Sequence, residues 1–406
     1  MTRSTSFTKT ITRRKLLAGL GGAGAGLVSN FPAPRILAQT RAPIRLGILN
    51  AFTGVVAYAA ENNLNGMTLY FDSINWTIAG RKIELIKEDD QFNPQIGLQK
   101  AKKLVESDNV DMVVGVQASS VALAVLNYVK QKKAFYIVTG AGTDAVTWDR
   151  YPYLFRTSLS TWQLSEPMAG WVYANLAKEA VTCASDYAGG RDVIAEFKGP
   201  FVQKGGKVLK EIYPPLGTTD FSPYLTDIKS INPPVTYNFM PGTDAVRYMQ
   251  QYDEFGLKKK TTFTGYALVD SLTIKAVGRA AIGVITTTIY TDTIDTPENR
   301  LFVPAYRAKF NAYPDYFSDY GYVAAHVIDD ALKMTDGDAS NKDKLAEAMS
   351  KVSFKAPRGP FRFDPVTHNP IQDVYVCKAA ELDGGRIGNQ VIGMVKDVRD
   401  PGSKQY

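Results

Sequence analysis

Two adjacent serines, Ser119 and Ser120, follow an apolar run at residues 110–116 and precede a stretch with helical periodicity at residues 121–130. At the start of a helix, serine hydroxyls and backbone N–H groups can bind an anion, and the helix dipole favours negative charge there. The chemistry that this segment predicts is recognition of a carboxylate. Because serine also caps helices well, the pattern by itself favours capping and binding equally.

A second segment repeats this arrangement. Ala141 and Thr143 follow an apolar run at residues 134–139, and Gly140 and Gly142 allow a ligand to approach the backbone closely. Thr143 is open to the same two interpretations, a helix cap or a ligand contact. If both apolar runs are strands of one parallel sheet, their carboxyl ends meet at the edge where ligands of open α/β sheets bind. We therefore predict a carboxylate held between two loops.

Residues that carry hydrolytic or metal chemistry are scarce in this sequence. The histidines and cysteines are His326, His368, Cys183 and Cys377. Neither histidine has a second ligand at a metal spacing, no G-x-S-x-G segment is present, and the two cysteines are too far apart for a disulfide framework. We predict buried cysteines, no metal, no cofactor and no enzymatic activity.

Asp89 and Asp90 are a possible pair of acid and base catalysts, but a turn explains them better. They stand just before Asn93 and Pro94, which have the types of a helix cap and a first helical residue. Aspartates in such a position commonly bind the backbone of a turn, and we predict that role.

The elements that must position these residues alternate between β-branched apolar runs and amphipathic stretches, which is typical of βα units around a mostly parallel sheet. A first series has strands at 44–50, 83–87, 110–116 and 134–139, a helix that includes residues 64–74, and helices at 94–106 and 121–130. A second series has strands at 180–184, 207–212, 236–240, 261–265 and 284–290 and helices at 164–178, 191–203, 224–229 and 245–255. Helices at 297–311, 320–333 and 342–349 and a tail of strands at 361–395 follow. We predict an α/β fold of two doubly wound lobes with mostly parallel sheets.

Residues 1–38 have the pattern of an export signal. Arg13 and Arg14 precede an uncharged run rich in Gly, Ala and Leu, and the small residue Ala38 stands at the end. This order is typical of a bacterial signal peptide, and paired arginines indicate the twin-arginine machinery. The run is too short and too rich in glycine to span about 30 Å of hydrocarbon. We predict cleavage after Ala38 and a periplasmic protein.

The same segment accounts for the positive charge of the chain. The formal net charge is +7, from 47 basic and 40 acidic residues, and residues 1–38 hold six of the bases and none of the acids. The remainder is nearly neutral. A nucleic-acid partner is therefore not predicted, since it calls for a clustered basic face.

Six short motifs follow one another between residues 44 and 190, and they are IRLGIL, the Thr-Gly after it, DDQFNP, VVG with the two serines, GAGT and SDYAGG. In this order they resemble the motifs of the leucine/isoleucine/valine-binding family of extracytoplasmic solute receptors. The resemblance covers essentially all of the chain after the signal. It implies the type I periplasmic binding protein fold, with two lobes joined by three hinge crossings, and delivery of a captured ligand to the permease of an ABC importer.

The resemblance also places the lobes and the site. Lobe 1 is expected at residues 41–158 and 292–360, and lobe 2 at residues 159–291 and 361–406. Relatives contact the ligand carboxylate at positions that match Ser119 and Thr143, with the adjoining Ser120 and the backbone of Ala141. Tyr58 and Tyr187 are expected to close the cleft around an apolar ligand body, whereas Tyr266 is as readily a packing residue as a ligand contact.

One position departs from the pattern of the family. Amino-acid receptors place an acidic side chain against the ligand ammonium, and the aligned residue here is Ala267. Because a buried ammonium without an acceptor is unfavourable, either Asp270 takes that role or the ligand lacks an ammonium group. Asp270 is equally suited to cap a helix that begins at the next residue. We predict a small carboxylate-bearing ligand of the branched-chain amino acid type. An aromatic or aliphatic carboxylic acid without an ammonium group stays open as the alternative ligand, and a ligand-sensing role for a signalling receptor stays open as the alternative function.

Overall fold

The structure, a computed structural model, describes residues 41–402 and contains two β-sheets. The first sheet is formed by β1 (Ile44–Asn50), β2 (Thr77–Ile78), β3 (Arg81–Asp89), β4 (Met112–Gly115), β5 (Phe135–Val138) and β6 (Leu154–Arg156). Its order is β2-β3-β1-β4-β5-β6, and all its pairs except β2 with β3 are parallel. The helices of this part are α1 (Ala57–Ser73), α2 (Pro94–Lys102), α3 (Ser119–Lys132) and α4 (Ala145–Trp148).

The second sheet has a parallel part and an antiparallel part. The parallel strands are β7 (Glu179–Ala184), β8 (Lys207–Ile212), β9 (Val235–Phe239), β10 (Thr262–Tyr266) and β11 (Ile285–Thr288), and the antiparallel strands are β12 (Ser353–Ala356), β13 (Gly359–Phe363), β14 (Pro370–Glu381) and β15 (Ile387–Val398). The order is β12-β13-β14-β11-β10-β9-β7-β8, and β15 pairs with β14.

The remaining helices follow β6 in the chain, and the last of them include helices that pack with α1 of the first sheet's part. They are α5 (Thr161–Asn175), α6 (Ala188–Gln203), α7 (Ser222–Ile231), α8 (Thr243–Glu254), α9 (Ser271–Val277), α10 (Pro297–Phe310), α11 (Tyr316–Met334) and α12 (Lys342–Ser350). Within residues 41–402, no helix combines the length and the apolar character needed to cross a membrane.

The strand order of each sheet reverses at one place, and these places define where a ligand can bind. In the first sheet β1 lies between β3 and β4, and in the second β7 lies between β8 and β9. Consecutive crossovers therefore leave in opposite directions and open a crevice beyond the carboxyl ends of the strands. The loops after β4 and β7 lie at these two crevices.

Helices α1 and α11 pack with their backbones in close contact. A Cβ atom on Gly66 would lie 1.9 Å from the carbonyl oxygen of Ser318, and one on Gly321 would lie 1.8 Å from the carbonyl oxygen of Asn63. Only glycine fits at these two positions. The packing fixes the first turns of both helices, which carry several rings of the site described below.

The predicted fold class is confirmed, and so are several local predictions. Asn93 caps α2 and Pro94 is its first residue. The carboxylate of Asp89 accepts the N–H groups of Phe52 and Gln91, which confirms its turn role. Both cysteines are buried and unpaired, as predicted.

Helix α11 begins at Tyr316, four residues earlier than the sequence predicts. Helix α1, of which the sequence predicts residues 64–74 as a part, begins at Ala57. Apolar periodicity marks the face that packs on the sheets, whereas the first turns of both helices point polar and aromatic residues at a cleft. The short β6 and α4 have no clear sequence pattern and were not predicted.

Candidate ligand-binding cleft

A pocket of about 740 Å³, its open mouth included, lies where the loops of the two sheets meet. From the first sheet it receives Gln117 and Ser119 after β4 and Gly140 and Gly142 after β5. From the second sheet it receives residues that follow β7, β9 and β10, namely Tyr187, Gly189, Met240, Pro241, Gly242, Ala267, Leu268 and Asp270. Both crevices predicted by the strand order therefore contribute to one cleft.

The loops after β4 and β5 are joined by a hydrogen bond. The backbone N–H of Thr143 donates to Ser119 Oγ across 3.3 Å, which leaves the hydroxyl hydrogen of Ser119 available to another acceptor. Ser119 is also the first residue of α3, where N–H groups have no partner within the helix. The arrangement can hold a carboxylate by hydroxyl and backbone donors.

Arg156, at the end of β6, holds the second loop from behind. Its fully buried guanidinium donates to the carbonyl oxygens of Ala141 at 3.0 Å, Gly142 at 2.8 Å and Thr143 at 2.6 Å. It also donates to the carbonyl oxygen of Leu159 at 2.8 Å. Because three consecutive carbonyl groups turn toward one cation, the path of this loop is fixed.

The predicted site residues divide into two groups. Tyr58, Ser119, Tyr187 and Tyr266 line the pocket. Three others stand beside it and are not among its lining residues, and they are Ser120, Ala141 and Thr143. Ala141 and Thr143 are buried in the loop held by Arg156. The residues of this loop that line the pocket are the neighbouring Gly140 and Gly142. A direct contact of Ser120, Ala141 and Thr143 with a ligand stays a prediction.

Aromatic rings line the pocket in two runs. In the first, ring centroids lie 5.9 Å apart between Phe92 and Tyr187, 6.3 Å between Tyr187 and Phe239, and 5.0 Å between Phe239 and Tyr266. The hydroxyl of Tyr266 reaches the loop after β5, since a Cβ atom added to Gly142 would lie 2.9 Å from the hydroxyl oxygen. The first run therefore extends from one side of the cleft to the other.

The second run comes from the starts of α1 and α11. Tyr58 and Phe317 have ring centroids 5.7 Å apart, and Phe317 lies 4.3 Å from Tyr316 and 6.0 Å from Tyr320. All four line the pocket. Rings of both runs offer flat apolar surfaces, which is the usual setting for the body of a small ligand.

Asp270 is the only Asp, Glu, Lys, Arg or His among the described residues that line the pocket. Its Oδ1 accepts the N–H of Thr273 at 2.8 Å and so caps α9, and its Oδ2 accepts the hydroxyls of Tyr58 at 2.6 Å and Tyr316 at 3.3 Å. Burial raises the pKa of Asp270 to about 6, and nearby Asp315 adds to this rise. The capping interpretation is confirmed, and both carboxylate oxygens have protein donors.

The sequence resemblance aligns Ala267 with the acidic side chain of amino-acid receptors, and this correspondence stays a prediction. Its backbone is left-handed, with φ of 44°, which is unfavourable for a residue with a Cβ. Its N–H donates to Thr287 and its carbonyl oxygen accepts the Tyr316 hydroxyl at 3.0 Å. Ala267 therefore lines the pocket with a methyl side chain, which cannot accept a hydrogen bond.

Several lining residues were missed by the sequence predictions. Gln117 precedes the serines, but a single amide has no pattern that marks it. Tyr316 and Tyr320 could have been found, because Asp315 and Ser318 form a capping box that starts the helix four residues earlier. Residues four apart on a helix lie on one face, which would have placed both rings together.

The described residues hold no group of three or more His, Cys, Asp or Glu side chains arranged to bind a metal ion. The family model described as "Periplasmic binding protein" matches residues 43–386 of the chain. The chain belongs to the periplasmic binding protein family. The resemblance seen in the six motifs is thereby confirmed.

Three similar proteins indicate the branch of the family. A Leu/Ile/Val-binding protein homolog 6 from Brucella melitensis is 31% identical over 369 residues, which are 89% of this chain and 94% of that protein. An ABC transporter substrate-binding protein from Sphaerobacter thermophilus is 35% identical, with a TM-score of 0.83, 89% of this chain and 100% of that chain covered. An ABC transporter solute binding protein from Rhodopseudomonas palustris BisB5, solved in complex with 3,4-dihydroxybenzoic acid, is 33% identical with a TM-score of 0.84. The match covers 89% of this chain and 99% of that chain.

This periplasmic binding protein is thus the extracytoplasmic substrate-binding component of an ABC importer. The family is one of solute-binding proteins and not of enzymes. Such proteins capture a small ligand and work with a permease in the membrane. The predicted signal peptide lies outside the described residues.

Proposed function

We propose that the cleft captures a small aromatic carboxylic acid for import. The observation that carries this proposal is the state of Asp270, whose two oxygens already accept hydrogen bonds from Thr273, Tyr58 and Tyr316. An amino-acid ligand would bury an ammonium group beside a methyl group at Ala267 with no free carboxylate to receive it, which is unfavourable. A ring acid brings no such group.

The lining of the cleft supports the same ligand class. Eight of its residues are aromatic, and rings pair with one another in offset or edge-to-face geometry. The ligand of the similar protein from Rhodopseudomonas palustris BisB5, 3,4-dihydroxybenzoic acid, is an aromatic acid. We place the ligand carboxylate at Ser119 and the start of α3, near the backbone of Ala141 and Thr143, and the ring between Tyr58, Tyr187 and Tyr266.

A branched-chain amino acid is the second candidate. It is favoured by the similarity to the Brucella protein named as a Leu/Ile/Val-binding homolog. For an ammonium to bind, Asp270 would have to exchange the hydroxyls of Tyr58 and Tyr316 for the ligand. The two candidates therefore differ in what they require of one carboxylate.

Capture then follows from the hinge. The proposed lobes, 41–158 with 292–360 and 159–291 with 361–406, close on a ligand that binds the closed form more tightly than the open form. The closed form is the one we expect the permease to accept. Residues 1–38 are proposed to direct export by the twin-arginine route, with cleavage after Ala38.

A thermal-shift titration of the purified protein tests the proposal. Benzoate or 3,4-dihydroxybenzoate should raise Tm by several degrees at about 100 times Kd, since such binding adds about 2.7 kcal/mol to the stability of the native state. Leucine, isoleucine and valine should leave Tm unchanged. Benzamide, which has the same ring without the charge, is the matched control ligand. Stabilisation by the amino acids alone would replace this proposal with the second candidate.

A further inference from the structure

The side chain of Gln117 lines the cleft with its hydrogen-bonding capacity unused. Its Nε2 and Oε1 are both shielded from solvent, and neither has a hydrogen-bond partner among the described residues. A buried amide without partners destabilises a protein, because it has lost its hydrogen bonds to water. In a ligand cleft, such a side chain indicates a partner that arrives with the ligand.

Gly140 shows that the fold makes room for this amide. A Cβ on residue 140 would lie 1.9 Å from Gln117 Oε1 and 2.9 Å from its Nε2, so any larger residue would displace the amide. Gln117 follows β4 and Gly140 follows β5. The amide therefore lies between the two loops that are proposed to hold the ligand carboxylate.

The chemistry of the amide identifies the missing partner. A carboxylate has only acceptor oxygens, so it can pair with Nε2 and not with Oε1. It also has other donors at this place, the hydroxyl of Ser119 and the N–H groups at the start of α3. A phenolic hydroxyl both donates and accepts, so it can pair with either amide atom, and two adjacent hydroxyls can pair with both.

We propose that Gln117 selects aromatic acids that carry ring hydroxyls over the unsubstituted acid, an inference that rests on the proposed aromatic-acid ligand. Gly140 serves this selection by leaving the amide its space. A flip of the Gln117 amide, which exchanges Nε2 and Oε1, leaves the same two atoms without partners.

Calorimetric titration of the purified protein with benzoate and with 3,4-dihydroxybenzoate tests the role of Gln117. The wild-type protein should bind the dihydroxy acid more tightly, and Gln117→Met should lower the ratio of the two affinities about three- to tenfold, the effect of one lost hydrogen bond. Gly140→Ala should lower the same ratio without changing Gln117, since its Cβ displaces the amide. Gln99→Met, at an exposed position of α2, is the matched control and should keep the ratio.

Circular dichroism and Tm of each variant establish that it is folded before the ratio is read. A ratio that stays at the wild-type value in both Gln117→Met and Gly140→Ala overturns the role of Gln117, and so does an equal weakening of both acids. A wild-type protein that binds neither acid overturns the proposed function and this inference with it. A wild-type protein that binds both acids with equal affinity overturns the inference alone.

Discussion

The two faces of the cleft are built from different kinds of residues. The loops after β4 and β5, residues 117–119 and 140–143, are small and polar, and we call them the polar loops. Residues at and just after the ends of the second-sheet strands carry rings and a methyl group, and we call them the ring face: Tyr187, Phe239, Tyr266 and Ala267. The polar loops recognise through hydroxyl and N–H donors, whereas the ring face recognises through shape.

This difference divides the work of recognition. A carboxylate group needs donors in a fixed arrangement, which the polar loops provide by a bond from Thr143 to Ser119 and by the guanidinium of Arg156 behind them. The body of the ligand needs only a surface that fits, and rings provide it. If the proposed site is correct, a change on the ring face, as we propose for Ala267, is enough to change the ligand class while the polar loops stay the same.

The largest effect is expected where the polar loops depend on Arg156. Arg156→Met removes the guanidinium that donates to the carbonyl oxygens of Ala141, Thr143 and Leu159 and that shares the carbonyl oxygen of Gly142 with the Thr161 N–H. Because each buried acceptor left without a partner costs about 1–3 kcal/mol, we expect the free energy of unfolding to fall by about 3–5 kcal/mol and acid binding to be lost. Urea unfolding and calorimetry measure the two effects. Arg362→Met breaks only an exposed ion pair with Asp397 and should cost at most about 1 kcal/mol. Equal losses in both variants would contradict the role of Arg156.

The next effect concerns Asp270 beside the ring face and depends on pH. Burial raises the pKa of Asp270 to about 6, above its value of about 4 in an unfolded chain. A raised pKa in the folded state contributes stability that is present below pH of about 4 and lost as pH rises through about 6. Asp270→Asn stays neutral, so its unfolding free energy minus that of the wild type should rise by about 2–3 kcal/mol between pH 4 and pH 7.

Urea unfolding of both proteins across this pH range measures that difference. Asp338→Asn is the control, because hydrogen bonds from Ser340 lower the pKa of that exposed carboxyl, so its trend should have the opposite sign. A flat difference for Asp270→Asn would mean that the carboxylate is well stabilised as an anion. A stable anion at Asp270 would mean that the cleft holds a charged group beside the ring face. It would favour a ligand that carries an ammonium group.

Both faces could be predicted from the sequence in part, since Tyr187, Tyr266 and Ala267 of the ring face were singled out, whereas Gln117 of the polar loops and Phe239 of the ring face were missed. Ser119 and Thr143 follow strands at glycine-containing loops, and the strand pattern places both loops at one edge of a sheet. Phe239 ends a strand, and its position does not differ in pattern from ordinary core packing. The left-handed backbone of Ala267 is also invisible in sequence, since alanine is not a residue that marks such a conformation.

A smaller effect separates charge recognition from packing within the polar loops. Ser119→Ala removes a hydrogen bond to a charged group and should weaken benzoate binding by about 1–3 kcal/mol, while benzamide binding changes less. Thr143→Ala should have a smaller effect, because the side chain is buried behind the lining and only its N–H reaches Ser119. Calorimetry with both ligands tests this, with Ser230→Ala, at an exposed position of α7, as the control. Equal losses for benzoate and benzamide would show that Ser119 supports the cleft without reading the charge.

The smallest effect tests whether the ring face stores backbone strain. Ala267 has φ of 44° and Ala79, in a distant turn, has φ of 46°. Glycine adopts this conformation without the Cβ penalty, at some cost in chain entropy, so each Ala→Gly change should stabilise the protein by about 0.5–1 kcal/mol. Urea unfolding of both variants measures the gain, and only Ala267→Gly should alter acid binding, because only that methyl group lines the cleft. A gain at Ala79 with none at Ala267 would show that Ala267 is not strained, and the ring face would then owe its shape to packing alone.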